Sequence, residues 1–167
     1  MAIHKIQIND FISEDYELIA IHSSLEDYKL AYAINTILNT RLIKNESNIE
    51  IAIPEGKSAF GNYIFDDEES DVQWSLIENK TTIVTSKKKS SQLFDQVDIT
   101  VFLLPEYKKA DYLLKIENID YEFDEDDMIE KILSIKKPFH WNGFLYFASF
   151  LKNYFSINYN SVVKYYF

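Results

Sequence analysis

The sequence predicts a single α+β domain, with a largely antiparallel sheet of about five to seven strands and two main helices, about 24–42 and 125–136, on one face. Three observations predict it. Short apolar or alternating runs recur between polar turns, as strands do. Two longer segments carry their apolar residues at helical spacing instead. The chain has 167 residues, 47% apolar and 16% aromatic, which suffices for one core and excludes a disordered chain.

Taken in order, residues 3–8 read as a short edge strand and Tyr16–His22 as a stronger one behind an acidic turn. Ser23 and Ser24 then offer N-caps, with Glu26 and Asp27 three residues later, as in a capping box. Leu25, Tyr28, Ala31, Tyr32, Asn35, Leu38 and Leu42 follow at helical spacing and predict the face that packs on the sheet. Residues 49–53 alternate and stop at Pro54. Phe60–Phe65 and Asp71–Glu78 predict a hairpin around the acidic turn 66–70, and Thr81–Thr85 adds another β-prone run. Residues 86–92 are polar and predict a loop. Asp124–Asp127 opens the second helix, where acids suit the dipole, with Met128, Ile129, Ile132, Leu133 and Ile135 as its buried side.

The runs 97–104 and 111–117 flank a polar link that begins with Pro105. Pro105 has no N–H to give to a sheet and so stops the first run. The link fits a hairpin and is too short for a parallel crossover. Both runs are apolar at odd and even positions, the pattern of strands covered on both faces, which predicts that both lie at the sheet centre.

Composition excludes several functions. Without cysteine there are no disulfides, thiolate metal sites or cysteine nucleophile. Together with an N-terminus lacking the apolar core of a signal peptide, this predicts a cytoplasmic protein. The three glycines are dispersed, so neither a dinucleotide fingerprint nor a P-loop can be written, and no cofactor is expected. Net charge is −10, and every Asp and Glu lies at or before Glu130. An acidic body repels phosphate backbones, which argues against a nucleic-acid partner.

After Pro138 the character changes. Twelve of the last thirty residues are Phe, Tyr or Trp and none is acidic. The domain is therefore expected over 1–137, with 138–167 an aromatic segment packed on it or forming an interaction surface. The apolar run 144–151 is shorter than the roughly 20 residues of a membrane span.

The segment Leu-Leu-Pro-Glu-Tyr-Lys-Lys-Ala-Asp-Tyr at 103–112 resembles the signature of the IPExxxVDY family of Bacteroidetes proteins, matching it at Pro105, Glu106, Asp111 and Tyr112. Leu104 and Ala110 replace its Ile and Val. Residues 18–32, Leu-Ile-Ala-Ile-His-Ser-Ser-Leu-Glu-Asp-Tyr-Lys-Leu-Ala-Tyr, also resemble that family's opening. The resemblance implies a small α+β protein and no particular activity. It stops near Ile135, where the family's ending is polar. Two accounts fit the tail: a divergent ordered segment, or an altered reading frame through AT-rich DNA.

Glu106 and Asp111 flank the central link and offer an acid–base pair, with Tyr112 beside them. Against this, Glu106 suits capping of backbone N–H groups, Asp111 a bond across its own turn, and Tyr112 the core. His22 and Ser23 point to opposite faces of a strand, so they do not form a nucleophile and base, and no third orienting group is evident. His4, His22 and His140 are scattered and make no metal set. The turn 66–71 lacks the glycine and spacing of a calcium loop and reads as a solvated tip, as does Lys87–Lys89. In the tail, Trp141, Phe144, Tyr146, Phe147, Phe150 and Tyr154 would form a contact surface for a protein partner, a second copy or a membrane surface. The leading expectation is a non-enzymatic protein-binding or adaptor domain. The alternatives are a small enzyme or ligand-binding protein using the carboxylates at 105–112, and membrane-surface attachment through the tail.

Overall fold

A computed structural model describes residues 16–54, 56–86, 96–119, 124–135 and 145–150. In chain order they form β1 (Tyr16–Ser23), α1 (Asp27–Leu38), β2 (Ile43–Lys44), β3 (Ile49–Ile53), β4 (Gly56–Phe60), β5 (Asn62–Asp67) and β6 (Val72–Glu78). There follow β7 (Lys80–Ser86), β8 (Gln96–Phe102), a 3-10 turn at Pro105–Tyr107, β9 (Tyr112–Glu117), α2 (Glu125–Leu133) and β10 (Leu145–Phe150). The main sheet is antiparallel with order β10-β1-β9-β6-β5-β2, and β3–β4 and β7–β8 form two-stranded ribbons. The α+β class and the largely antiparallel sheet follow the expectation from the sequence.

Both faces of the sheet are covered, by different layers. Ile19, Ile21, Leu76, Leu114 and Ile116 meet Leu30, Ala31 and Ile34 of α1 and Ile132 of α2 in one core. Leu18, Ala20, Ile77 and Leu113 meet Ile51 and Phe60 of the first ribbon, Val101 of the second, and Leu103, Leu104 and Ala110 in the other. This double cover explains why β1 and β9 are apolar at odd and even positions. A fully buried Leu or Ile contributes about 1.5–3 kcal/mol, so each strand is anchored from both sides.

The central pair departs from expectation. β9 sits mid-sheet between β1 and β6, but β8 pairs with β7 instead of β9. The link forms a 3-10 turn and crosses from ribbon to sheet. Outer positions of β8 are exposed, Val97 among them.

Helix α1 is shorter than expected, and the expected face is core only in part: Leu25, Ala31 and Leu42 are buried and Leu38 packs against the same core. It starts after Glu26, whose side chain makes no cap bond, so the capping box is not formed. Ser23 Oγ instead accepts from the Leu25 N–H at 3.1 Å. Asn39 ends the helix in the left-handed region at φ 54°. Asn35 closes the following loop, donating to Leu42 O and accepting from Leu42 N–H and Thr40 Oγ1. The buried side is Leu30, Ala31, Ala33 and Ile34, whereas Tyr28 and Tyr32, expected inside, are 55% and 63% exposed. In α2, Asp124 accepts from the Asp127 N–H as an N-cap, Ile132 is buried, and Leu133 is exposed instead of buried.

β10 pairs with β1 along Ile19↔Phe150 to Ser23↔Leu145, so residues 145–150 of the aromatic segment belong to the main sheet. The predicted strand 3–8 lies outside the described residues, as do residues 87–95. Among the described residues no helix is long and apolar enough to cross a membrane.

Candidate functional site

A buried amide organises the end of the sheet where the chemistry-bearing residues gather. Asn79 joins β6 to β7 and is fully buried. Its Nδ2 donates to Tyr107 O and Ala110 O, both at 2.9 Å, and its Oδ1 accepts from the Leu104 N–H at 2.8 Å. Its backbone N–H donates to Asp111 O, and its carbonyl accepts from the Leu103 N–H. The link 103–111 is thus held in shape by one side chain that stands about thirty residues away in sequence.

That link delivers Asp111 to the junction of β1 and α1. Asp111 is 6% exposed. Its Oδ2 accepts from the Ser23 N–H at 2.8 Å and lies 2.5 Å from His22 Nδ1, while its Oδ1 meets Lys80 Nζ. Its own N–H donates to Ile21 O. The bonds run to β1 and β7, not across its own turn. Burying a carboxylate is costly unless it is paired and hydrogen-bonded, and Asp111 is both. Next to it, the Tyr112 hydroxyl donates to Leu25 O at 2.7 Å, tying β9 to the start of α1. Burial pushes that hydroxyl well above the ordinary tyrosine range, helped by Glu78, Asp27 and Asp111.

A second polar knot stands beside the first. Asp27 accepts from Lys44 Nζ at 2.7 Å and from the Tyr63 hydroxyl at 3.2 Å. Desolvation raises the Asp27 carboxyl, but the bonds from Lys44, the Tyr28 N–H and Tyr63 outweigh it and hold it below its ordinary value. Burial, then the Asp27 charge and bond, push Tyr63 up to about 12. Glu78 Oε2 accepts from the Gly61 N–H at 2.8 Å. A Cβ on Gly61 would come within 2.7 Å of Lys44 Nζ and 2.8 Å of Glu78 Oε2, so glycine lets the two side chains close over the backbone.

Between the two knots lies an open cleft of about 300 Å³. One wall is the β1–α1 junction, Ser23–Glu26; the other is Glu78, Lys80, Asp111 and Tyr112, from the ends of β6, β7 and β9.

The expected residues are therefore only partly brought together. Asp111 and Tyr112 line the cleft, whereas Glu106 is exposed on the 3-10 turn and not part of its wall. The two carboxylates do not form a pair across one site. His22 does acquire an orienting group, Asp111, which is separated from it by 89 residues and which no local pattern announces. Asn79, Lys80 and Glu78 carried no motif and were not singled out from sequence. Asp66–Asp71 forms the β5–β6 tip, where Asp67 accepts from Ser70 Oγ and the Glu69 N–H. Among the described residues no three His, Asp or Glu side chains converge as metal ligands. Tyr146, Phe147 and Phe150 lie in β10, with Phe147 opposite His22 and Phe150 opposite Ile19 in register. Trp141, Phe144, Tyr154, His4, His140 and Lys87–Lys89 lie outside the described residues. No protein-family model, curated protein or solved structure matches the chain.

Proposed function

We propose that this protein is a non-enzymatic protein-binding domain of the cytoplasm, contacting its partner through the outer face of α1. The observation that carries the reading is the pair Tyr28 and Tyr32, one helical turn apart and both more than half exposed. Tyrosine is a residue of interface hot spots, because a large rigid ring loses little conformational freedom on binding. Tyr28 is already held in place: its hydroxyl donates to Glu26 Oε2 at 2.8 Å, and Lys29 Nζ lies 5.4 Å from its ring centre. A preorganised anchor costs less to bury than a mobile one. With a net charge of −10, the chain favours a partner with a basic surface. The absence of cysteine fits a reducing compartment.

The residues first offered for chemistry support the same reading. Asp111 and Tyr112 hold β1, β7, β9 and α1 together, and Glu106 faces solvent apart from them. The two segments that resemble the IPExxxVDY family are joined to each other by these bonds, from Asp111 to Ser23 and from Tyr112 to Leu25. This supports reading the 103–112 stretch as a folding device in this chain. Affinity capture from native lysate with the full chain, followed by mass spectrometry, tests the reading. A stoichiometric protein lost on Tyr28→Ser with Tyr32→Ser is expected; no stoichiometric protein from a well-folded bait would overturn it.

A second reading, a small ligand-binding protein or enzyme, is favoured by the cleft that Asp111 and Tyr112 line.

A further inference from the structure

Among the described residues in and next to the cleft wall, four carboxylates stand against three ammonium groups and the His22 imidazole, which shares Asp111 with Lys80. Glu26 pairs with Lys29 at 2.5 Å, Asp27 with Lys44 at 2.7 Å, and Asp111 with Lys80. The fourth carboxylate, Glu78, has a neutral partner, the Gly61 N–H. Lys44 approaches Glu78 over Gly61 but is held on Asp27. Lys80, the one ammonium group among the described wall residues, is held on the buried Asp111. A cation entering the cleft therefore meets Glu78, a carboxylate with no ion pair among the described residues, while an anion meets repulsion. That interaction is several times stronger in a partly desolvated cleft than in bulk water.

The remaining wall has apolar character at one point and an aromatic ring at another. Leu25, only 5% exposed, and the half-buried Tyr112 beside it are the small apolar surface that a short aliphatic stem would meet. The volume of about 300 Å³ is at the small end for ligand sites, right for a short amine and too small for a nucleotide.

We propose that the cleft between the β1–α1 junction and the ends of β6, β7 and β9 binds an aliphatic primary ammonium group, with Glu78 as its counter-ion. The ammonium belongs either to a free amine or to a lysine side chain. This inference rests on the ligand-binding reading of the cleft and leaves the α1 surface unaffected.

Amide chemical-shift titrations of the full chain test it, using n-butylammonium, n-butanol, acetate and the end-blocked peptide Ala-Ala-Lys-Ala-Ala as probes. Saturable shifts confined to Ser23–Glu26, Glu78–Lys80 and Asp111–Tyr112 with n-butylammonium are expected. Glu78→Gln keeps an acceptor for the Gly61 N–H and should weaken that binding at least about tenfold, the size of a charge-assisted hydrogen bond. Matching shifts from the peptide assign the source to a lysine side chain; shifts from the free amine alone assign it to a small amine. Cleft shifts with n-butanol or acetate in place of the ammonium would overturn the proposal while keeping the ligand site. Undiminished binding by Glu78→Gln would overturn the proposal too. No cleft shift with any probe would overturn both.

Discussion

Replacing Asn79 by Ala removes three side-chain hydrogen bonds at a fully buried position. Two of the backbone groups left behind, the Leu104 N–H and Ala110 O, make their bonds in the interior, and the third, Tyr107 O, is partly buried. A buried polar group stripped of its partner costs about 1–3 kcal/mol. Counting two groups in full and discounting the third gives a loss of about 3–5 kcal/mol, a large share of the 5–15 kcal/mol that holds a domain of this kind together. With a urea m-value of about 2 kcal/mol per M, the midpoint of equilibrium unfolding falls by roughly 2 M. The matching drop in Tm is on the order of 10 °C. Asn79→Asp separates this account from a simple packing loss. It keeps the shape but sets a carboxylate against two carbonyls, so it should be at least as harmful as Ala. A loss under about 1 kcal/mol for Ala, or a near-neutral Asp variant, would refute the reasoning.

Other outcomes follow from the same geometry. Asp111→Asn keeps an acceptor for the Ser23 N–H but loses the charge that holds Lys80; it should cost about 2 kcal/mol in urea unfolding, below the full value for a buried pair because Lys80 is half exposed. Tyr63 and Tyr112 both have hydroxyls raised above the unfolded value of about 10, so the folded state keeps protons that the unfolded state releases. Their contribution is complete below pH 10 and is lost as pH rises toward 12; unfolding midpoints measured from pH 8 to 11.5 should fall, and fall less in Tyr63→Phe. Asp27 has the opposite sign: its lowered carboxyl contributes above the unfolded value near 3.8 and the contribution is lost below it, so Asp27→Asn should flatten acid destabilisation between about pH 5 and 3. Glu106→Gln, on an exposed turn away from the cleft, should change stability by less than about 0.5 kcal/mol.

Period and punctuation in the sequence carried much of the fold. The apolar run of β9 announced a strand covered on both faces, the run of β1 announced a strand, and Pro54 and Pro105 marked strand ends. The pairing of β8 was not legible. Its apolar content matches that of β9, and only the ribbon placement across from β7 decides which is central. Helix α1 misled for a related reason: Tyr28 and Tyr32 fit a helical stripe as well as Leu30 and Ile34 do, and sequence spacing cannot distinguish an apolar face turned outward from one turned to the core. At the site, Asp111 and Tyr112 were legible as residues but not in their roles. Their partners stand 87 to 89 residues away in β1 and the α1 junction, and such contacts leave no local pattern. Asn79 looked like an ordinary turn residue between two β-prone runs.

The central claim is that binding lies on the outer face of α1, while the 103–112 stretch holds the fold. Calorimetric titration of the captured partner against wild type, Tyr28→Ser with Tyr32→Ser, and Glu106→Gln tests it most directly. The account predicts at least about a hundredfold loss for the tyrosine pair, as expected where hot-spot rings are removed, and less than a threefold change for Glu106→Gln. Undiminished affinity without the two tyrosines, or a large loss at Glu106, would contradict it.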